Sequence, residues 1–239
     1  LVVERDDEAY CQPCLSPVWD TGLALHAMQE SGLVKGDEVL DKAADWLVDR
    51  QITDVKGDWA KKRPDLRPGG WAFQYWNDHY PDVDDTAVVI MALHRADPVR
   101  YKDAIDRGVE WVIGMQSENG GWGAFDAENE AYHLNHIPFA DHGALLDPPT
   151  SDVSARCLGT LAQLGYGADD AVVARAIQFL KDEQEEDGSW FGRWGTNYIY
   201  GTWSVLSALN AVGEDMSQPY IRRAVDWLKS RQMANGGWG

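Results

Sequence analysis

Three carboxylates fall close together in Asp82-Val83-Asp84-Asp85, after Pro81 and ahead of the apolar run Ala87-Val88-Val89-Ile90-Met91-Ala92-Leu93. Such a run reads as a buried helix, so the acids stand at its N-terminus, at the edge of an apolar interior. Carboxyl groups this close resist joint ionisation, and the cluster can retain a proton near neutral pH, as a general acid must. The plain alternative is a helix cap. Asp82 would then be the N-cap, Asp85 its partner one turn on, and Asp84 solvated, with the helix dipole favouring all three. Segments rich in Trp, Phe and Gly recur along the rest of the chain and are the candidate walls of a chamber facing these acids.

An internal repeat supplies the elements that must position the acids. The copies run Ala44-Asp45-Trp46-Leu47 to Gln51 and Gly57-Asp58-Trp59; Val109-Glu110-Trp111-Val112 to Gln116 and Gly120-Gly121-Trp122; Ile177-Gln178-Phe179-Leu180 to Gln184 and Gly188-Ser189-Trp190; and Val225-Asp226-Trp227-Leu228 to Gln232 and Gly236-Gly237-Trp238. Each is an amphipathic helical pattern ending in Gln, then a Gly turn and a Trp that can stack on the helix end. Between them lie helical runs, apolar around most of their circumference, at about 17–28, 84–95, 150–164 and 198–212. A helix apolar all round is buried on both sides. Alternating buried and amphipathic helices predict two concentric layers of an all-α, incomplete α/α barrel. No stretch shows sustained strand alternation. The Pro- and His-bearing segment 126–149 predicts a long loop.

Composition excludes several function classes. A net charge of −18 leaves no basic stripe for a nucleic acid. No run approaches the ~20 apolar residues of a membrane span. Cys11 and Cys14 form a lone C-x-x-C, and with Cys157 they read as reduced thiols rather than a zinc site. His133, His136 and His142 look like loop histidines, with no metal expected. The start at Leu1 and end at Trp238-Gly239 suggest a piece of a longer protein.

The motif Asp-x-Asp-Asp-Thr-Ala at Asp82–Ala87, set among repeated Gln-x-x-x-Gly-x-Trp elements, resembles the squalene–hopene cyclases, class II triterpene cyclases of bacteria. Ser16-Pro17-Val18-Trp19-Asp20-Thr21-Gly22, Gly70-Trp71-Ala72-Phe73-Gln74, Asn135-His136-Ile137-Pro138-Phe139, Asp147-Pro148-Pro149 and Ser189-Trp190-Phe191-Gly192-Arg193-Trp194-Gly195 extend the resemblance along the chain. It implies that residues 1–239 are a partial α/α-barrel catalytic domain of a longer two-barrel enzyme. It implies cyclisation of squalene to hopene or hopanol by alkene protonation and a carbocation cascade, without cofactor or metal. The whole enzyme would lie on the cytoplasmic face of a bacterial membrane without spanning it. The isolated chain would itself be soluble and inactive, because an open arc cannot exclude water, and its exposed apolar surface leaves a homodimer open. A diterpene cyclase of the same acid type and a non-catalytic α/α-toroid interaction module are the rival readings.

The resemblance also assigns residues. Asp84 would be the general acid, flanked by Asp82 and Asp85. Arg156 stands where the family often has His, and would be the cationic partner, making activity less sensitive to pH. Tyr200 would hydrogen-bond or reprotonate the acid through water. Asp20 and Asp152 would hold the motif in place. Trp19, Phe73, Phe125 and Trp194 would stabilise cations by their ring faces. Phe139, Ala140 and Asp141 would narrow the substrate entrance. Trp46, Trp59, Trp111, Trp122, Trp190, Trp227 and Trp238 would brace the outer helices.

Overall fold

The computed structural model describes residues 2–11, 15–32, 36–137 and 145–238. Among them eight α-helices follow a short antiparallel pair, β1 (Val2–Glu4) and β2 (Ala9–Cys11). The helices are α1 (Pro17–Glu30), α2 (Glu38–Val48), α3 (Val83–Ala96), α4 (Lys102–Gly114), α5 (Ser151–Gln163), α6 (Ala171–Asp182), α7 (Tyr198–Ala211) and α8 (Pro219–Arg231). The strand pair was not expected; three residues per strand are too few for an alternating pattern to show.

The expected alternation of layers holds. The apolar runs are α1, α3, α5 and α7, which pack side by side in chain order. Each is backed by the amphipathic helix that follows it, α2, α4, α6 or α8. The chain is thus an all-α arc of hairpins, an incomplete α/α toroid. Helix α3 lies between α1 and α5 and is buried along most of its length. Its neighbours also bond to its backbone carbonyls. From α1, the His26 ring donates to Val88 O and Gln29 to Ala92 O; from α5, Thr160 donates to Ala87 O and Gln163 to Met91 O.

The repeat is a set of hydrogen-bonded latches. The indole N–H of Trp122 donates to Val112 O, that of Trp190 to Leu180 O and that of Trp238 to Leu228 O, each closing the end of the outer helix before it. The backbone N–H of Trp122 donates to Ser154 Oγ and that of Trp190 to Thr202 Oγ1, each 2.9 Å, in the first turns of the next inner helix. The Gln side chain spans hairpins: Gln116 donates to Gly120 O and Val172 O, and Gln184 to Gly188 O and Tyr220 O.

The first copy departs from the expected register. Trp71, not Trp59, fills its latch, donating to Leu47 O through its indole and to Thr86 Oγ1 through its backbone. Gln51 correspondingly donates to Gly69 O and Ala104 O. Residues between Gln51 and Gly69 form an insertion that carries Trp59 into the core, edge-on to Trp111 at 5.7 Å. Gly57-Asp58-Trp59 imitates the motif, but the Gln partner lies farther along the chain.

Thr86→Val keeps the shape of the side chain and leaves the buried Trp71 N–H without its acceptor. It is expected to destabilise the chain by about 1–3 kcal/mol in urea unfolding. Ser204→Ala, whose hydroxyl bonds only Tyr200 O in its own helix, should cost markedly less.

Candidate active site

The acid triplet opens α3, and each carboxyl has a different task. Asp82 is the N-cap: its Oδ1 accepts from Asp84 N at 2.7 Å and Asp85 N at 3.2 Å. Its own N–H donates to Trp71 O, so Asp85 does not complete a reciprocal capping box. Asp84, one turn position on, accepts from Arg156 Nε at 3.0 Å through Oδ1. Asp85 is 2% exposed, and its Oδ1 is buried without a hydrogen-bond partner.

Burial is the largest influence on all three, and it raises each above the ordinary carboxylate range. For Asp82 the next cause is the charge of Asp84, opposed by the two backbone N–H groups it caps, and it is pushed up to about 8. For Asp85 the neighbouring Asp82 and Asp84 add to burial, and it is pushed up to about 9. For Asp84, Arg156 pulls downward against burial and against the charge of Asp152. The cluster therefore holds protons at neutral pH. Asp84 is the member whose ionised form has a cationic partner.

Arg156 and Asp152 lie four residues apart on one face of α5, which delivers both to this place. The Arg156 guanidinium also donates to Tyr200 OH at 3.4 Å and sits 5.5 Å from the Trp19 ring centroid. Asp152 accepts from the Trp194 N–H at 2.7 Å through Oδ2, fixing the loop before α7. That loop closes over Tyr200 because it has no side chain at Gly195; a Cβ there would stand 2.3 Å from the tyrosine ring.

A cavity of about 520 Å3 opens in front of the acids. Trp19, Phe73, Phe125, Trp194 and Tyr200 line it together with Asp82, Asp84 and Asp85. Phe125 meets Trp194 edge-on at 6.1 Å. Trp194 is 51% exposed, so the wall is open on that side. Arg156 is absent from this lining and instead faces a groove among α3, α5 and α7. Asp20 is exposed and accepts from Ser16 Oγ at 2.9 Å; it makes no hydrogen bond to the triplet, and only its charge reaches Asp85. Phe139, Ala140 and Asp141 lie outside the described residues, as do Cys14 and His142; His133 and His136 are exposed on a short 3-10 turn. Of the expected bracing tryptophans, Trp46 stacks under the Arg50 guanidinium at 3.6 Å, and Trp227 donates to Asp187.

Sequence reasoning passed over Gln74 and Asn77, which also line the cavity. Their signal is position alone: Gln74 directly continues Gly70-Trp71-Ala72-Phe73, and Asn77 follows three residues later.

The family model for the squalene-hopene cyclase C-terminal domain matches residues 15–239, and the chain belongs to that family. A probable squalene–hopene cyclase of Sinorhizobium fredii is 59% identical over 100% of this chain and 38% of its own length. The squalene–hopene cyclase of Zymomonas mobilis is 59% identical over 99% of this chain and 37% of its own. The chain thus spans well under half the length of these relatives. Among solved structures, the type II terpene cyclase MstE from Scytonema, in complex with geranylgeranyl dihydroxybenzoate, superposes with a TM-score of 0.66. It is 21% identical, over 93% of this chain and 56% of that chain. At that identity the likeness is one of fold.

The raised carboxyls make stability fall with pH. Asp82 and Asp85 bind protons more tightly folded than unfolded, so stability is lost as pH rises from the ordinary carboxylate range towards the folded values of about 8 and about 9. Urea unfolding should show the chain weaker at about pH 8 than at about pH 5 by more than ~1 kcal/mol. Asp85→Asn, neutral at every pH, should flatten that slope.

Proposed function

We propose that this chain is the acid-bearing part of a squalene–hopene cyclase and that residues 1–239 belong to a longer two-barrel enzyme. Asp84 protonates a terminal alkene of squalene. The observation that carries this is a buried acid paired to a permanent cation at the end of an aromatic-walled cavity.

The chemistry has two opposing demands. An alkene is a weak base, so the donor must be strong, yet it must hold its proton until the substrate arrives. Burial keeps Asp84 protonated. Arg156 favours its conjugate base, which increases its driving force as a donor. With Oδ1 occupied by Arg156 Nε, the proton resides on Oδ2. On transfer a C–H bond forms at the alkene terminus, the π electrons leave a tertiary cation, and the next double bond closes a ring onto it. Trp19, Phe73, Phe125, Trp194 and Tyr200 present π systems to the successive cations. The last cation loses a proton to give hopene, or takes up water, whose oxygen then loses a proton, to give hopanol. Tyr200, in contact with Arg156, lies on the route by which water returns a proton to Asp84.

The substrate is a lipid, so the whole protein works at the cytoplasmic surface of a bacterial membrane. No helix among the described residues is long and apolar enough to cross one. Asp152 holds the surroundings of the acid through the Trp194 backbone N–H, whereas Asp20 bonds Ser16 and contributes only its charge.

The test uses the full-length parent, incubated with squalene in detergent and followed by gas chromatography with mass spectrometry. Pentacyclic product is expected from the parent, and Asp84→Asn should lower it at least about hundredfold. Unchanged squalene from a folded parent would overturn the reading. Arg does not titrate in this range, whereas His does near pH ~6.5. Arg156→His should therefore add a fall in rate as pH rises through that region, which the parent lacks.

A further inference from the structure

The residue that sets the aromatic wall against the acid lies in neither of them. Asp147 opens the segment Asp147-Pro148-Pro149-Thr150 that leads into α5. Its carboxylate collects three consecutive backbone donors: Oδ1 accepts from Ala124 N at 3.1 Å, and Oδ2 from Phe125 N at 2.5 Å and Asp126 N at 3.0 Å. This turn follows Trp122 and carries Phe125 into the cavity wall. The carbonyl of Ala124, inside the same turn, accepts from Val83 N at 2.7 Å. Val83 is the first residue of α3, immediately before Asp84. One carboxylate therefore holds a short piece of backbone that bears the Phe125 ring and also receives the first N–H of the acid helix.

The clamp is stiff at both ends. Thr150 N donates to Trp122 O at 3.0 Å, anchoring the far end of the segment beside the start of the turn. Between the anchors, Pro148 and Pro149 have fixed φ and no N–H to donate, so the spacing has little freedom. Arg193 donates to Leu146 O at 2.7 Å and stabilises the near end. Gly123 makes the approach possible: a Cβ there would stand 2.7 Å from the Asp147 carbonyl oxygen. Phe125 and Trp194 also line a second cavity of about 290 Å3, bounded by Trp59, His79, Leu146 and Asp147 among others, and so stand between it and the acid cavity.

We propose that Asp147 is a positioning residue for the cyclisation, fixing the Phe125 ring relative to Asp84 and thereby setting how far the carbocation cascade runs before it is quenched. This rests on the cyclase reading above. A displaced ring leaves a later cation without its π partner and breaches the wall between the two cavities, so the cascade ends early by proton loss or water capture.

Asp147→Asn puts an NH2 group, a donor, where an acceptor of backbone N–H groups is needed. In the full-length parent at matched conversion of squalene, it should raise the ratio of partly cyclised to pentacyclic product at least tenfold. Gly123→Ala, which displaces the same turn from the other side, should shift products the same way. Adding either to Phe125→Ala should give little further change. Asp215→Asn, which alters a carboxylate that accepts a backbone N–H in the loop between α7 and α8, should leave the ratio as in the parent. Amide hydrogen exchange reads the clamp independently of activity: in Asp147→Asn the amides of Ala124, Phe125, Asp126 and Val83 should exchange at least tenfold faster, with those of α6 and α8 unchanged. An unaltered product ratio in both variants, or unaltered exchange at those amides, would overturn the proposal. Accelerated exchange in a parent that leaves squalene unchanged would uphold the clamp as structure and overturn both its role in cyclisation and the cyclase reading.

Discussion

Three carboxyl groups share one buried helix start with one guanidinium, and that imbalance governs the site. Full ionisation would place three negative charges in an apolar setting against a single positive one. The structure resolves this by giving each acid a different environment. Asp82 spends its acceptor capacity on backbone N–H groups that α3 must satisfy anyway. Asp85 has no hydrogen-bond partner at its buried Oδ1, and burial pushes its carboxyl up towards the neutral form. Asp84 alone has Arg156, so it alone has a stable state on either side of proton transfer. The cap reading holds for Asp82, and by capping α3 it fixes where Asp84 stands relative to Arg156.

The repeat links this local electrostatics to the architecture. Each Gly-Trp turn closes an outer helix with its indole and seats the next inner helix with its backbone N–H, on Thr86, Ser154 or Thr202. The wall residues follow within a few positions of the latched Trp: Phe73 after Trp71, Phe125 after Trp122, Trp194 after Trp190. The inner helices that the turns lead into supply Asp84, then Asp152 and Arg156, then Tyr200. The site is therefore one end of the toroid, where three successive turns each contribute an aromatic and the helix that follows each contributes a polar group, with Trp19 added from α1. Rigid latches at hairpin after hairpin fix the relative heights of these groups without direct contact among most of them.

Much of this was legible because it is periodic or local. Helix runs, layer assignment and the triplet at a helix start follow from spacing that a short window contains. The Asp152–Arg156 pair was readable as one helical face, and the resemblance supplied what that face meets. The misplaced first latch shows the limit: Gly57-Asp58-Trp59 satisfies the local pattern, but Gln51 reaches Gly69 in three dimensions, and an insertion has no signature in a short window. Asp20 looked equivalent to Asp152 as an acid beside a motif, yet it lies on the exposed face of α1 and bonds Ser16. Asp147 went unassigned for the opposite reason. Its partners are backbone amides, which every residue has, so no residue type in the turn advertises the contact.

A permanent cation beside the acid cavity needs its own explanation, because Arg156 would repel the cationic intermediates of the proposed chemistry. The geometry separates the two. Arg156 approaches Asp84 from behind, is not part of the acid cavity's lining, and faces the groove among α3, α5 and α7. In the proposed chemistry its charge would be neutralised by Asp84 once the proton had left, which is when cations would be present. Trp19 lines the cavity and also meets the guanidinium, so an aromatic ring rather than open space adjoins the charge. A titratable partner would avoid repulsion by losing its proton, but would then also surrender its hold on the carboxylate as pH rises. Arginine keeps that hold at every pH, and the tolerance for its charge comes from where α5 puts it.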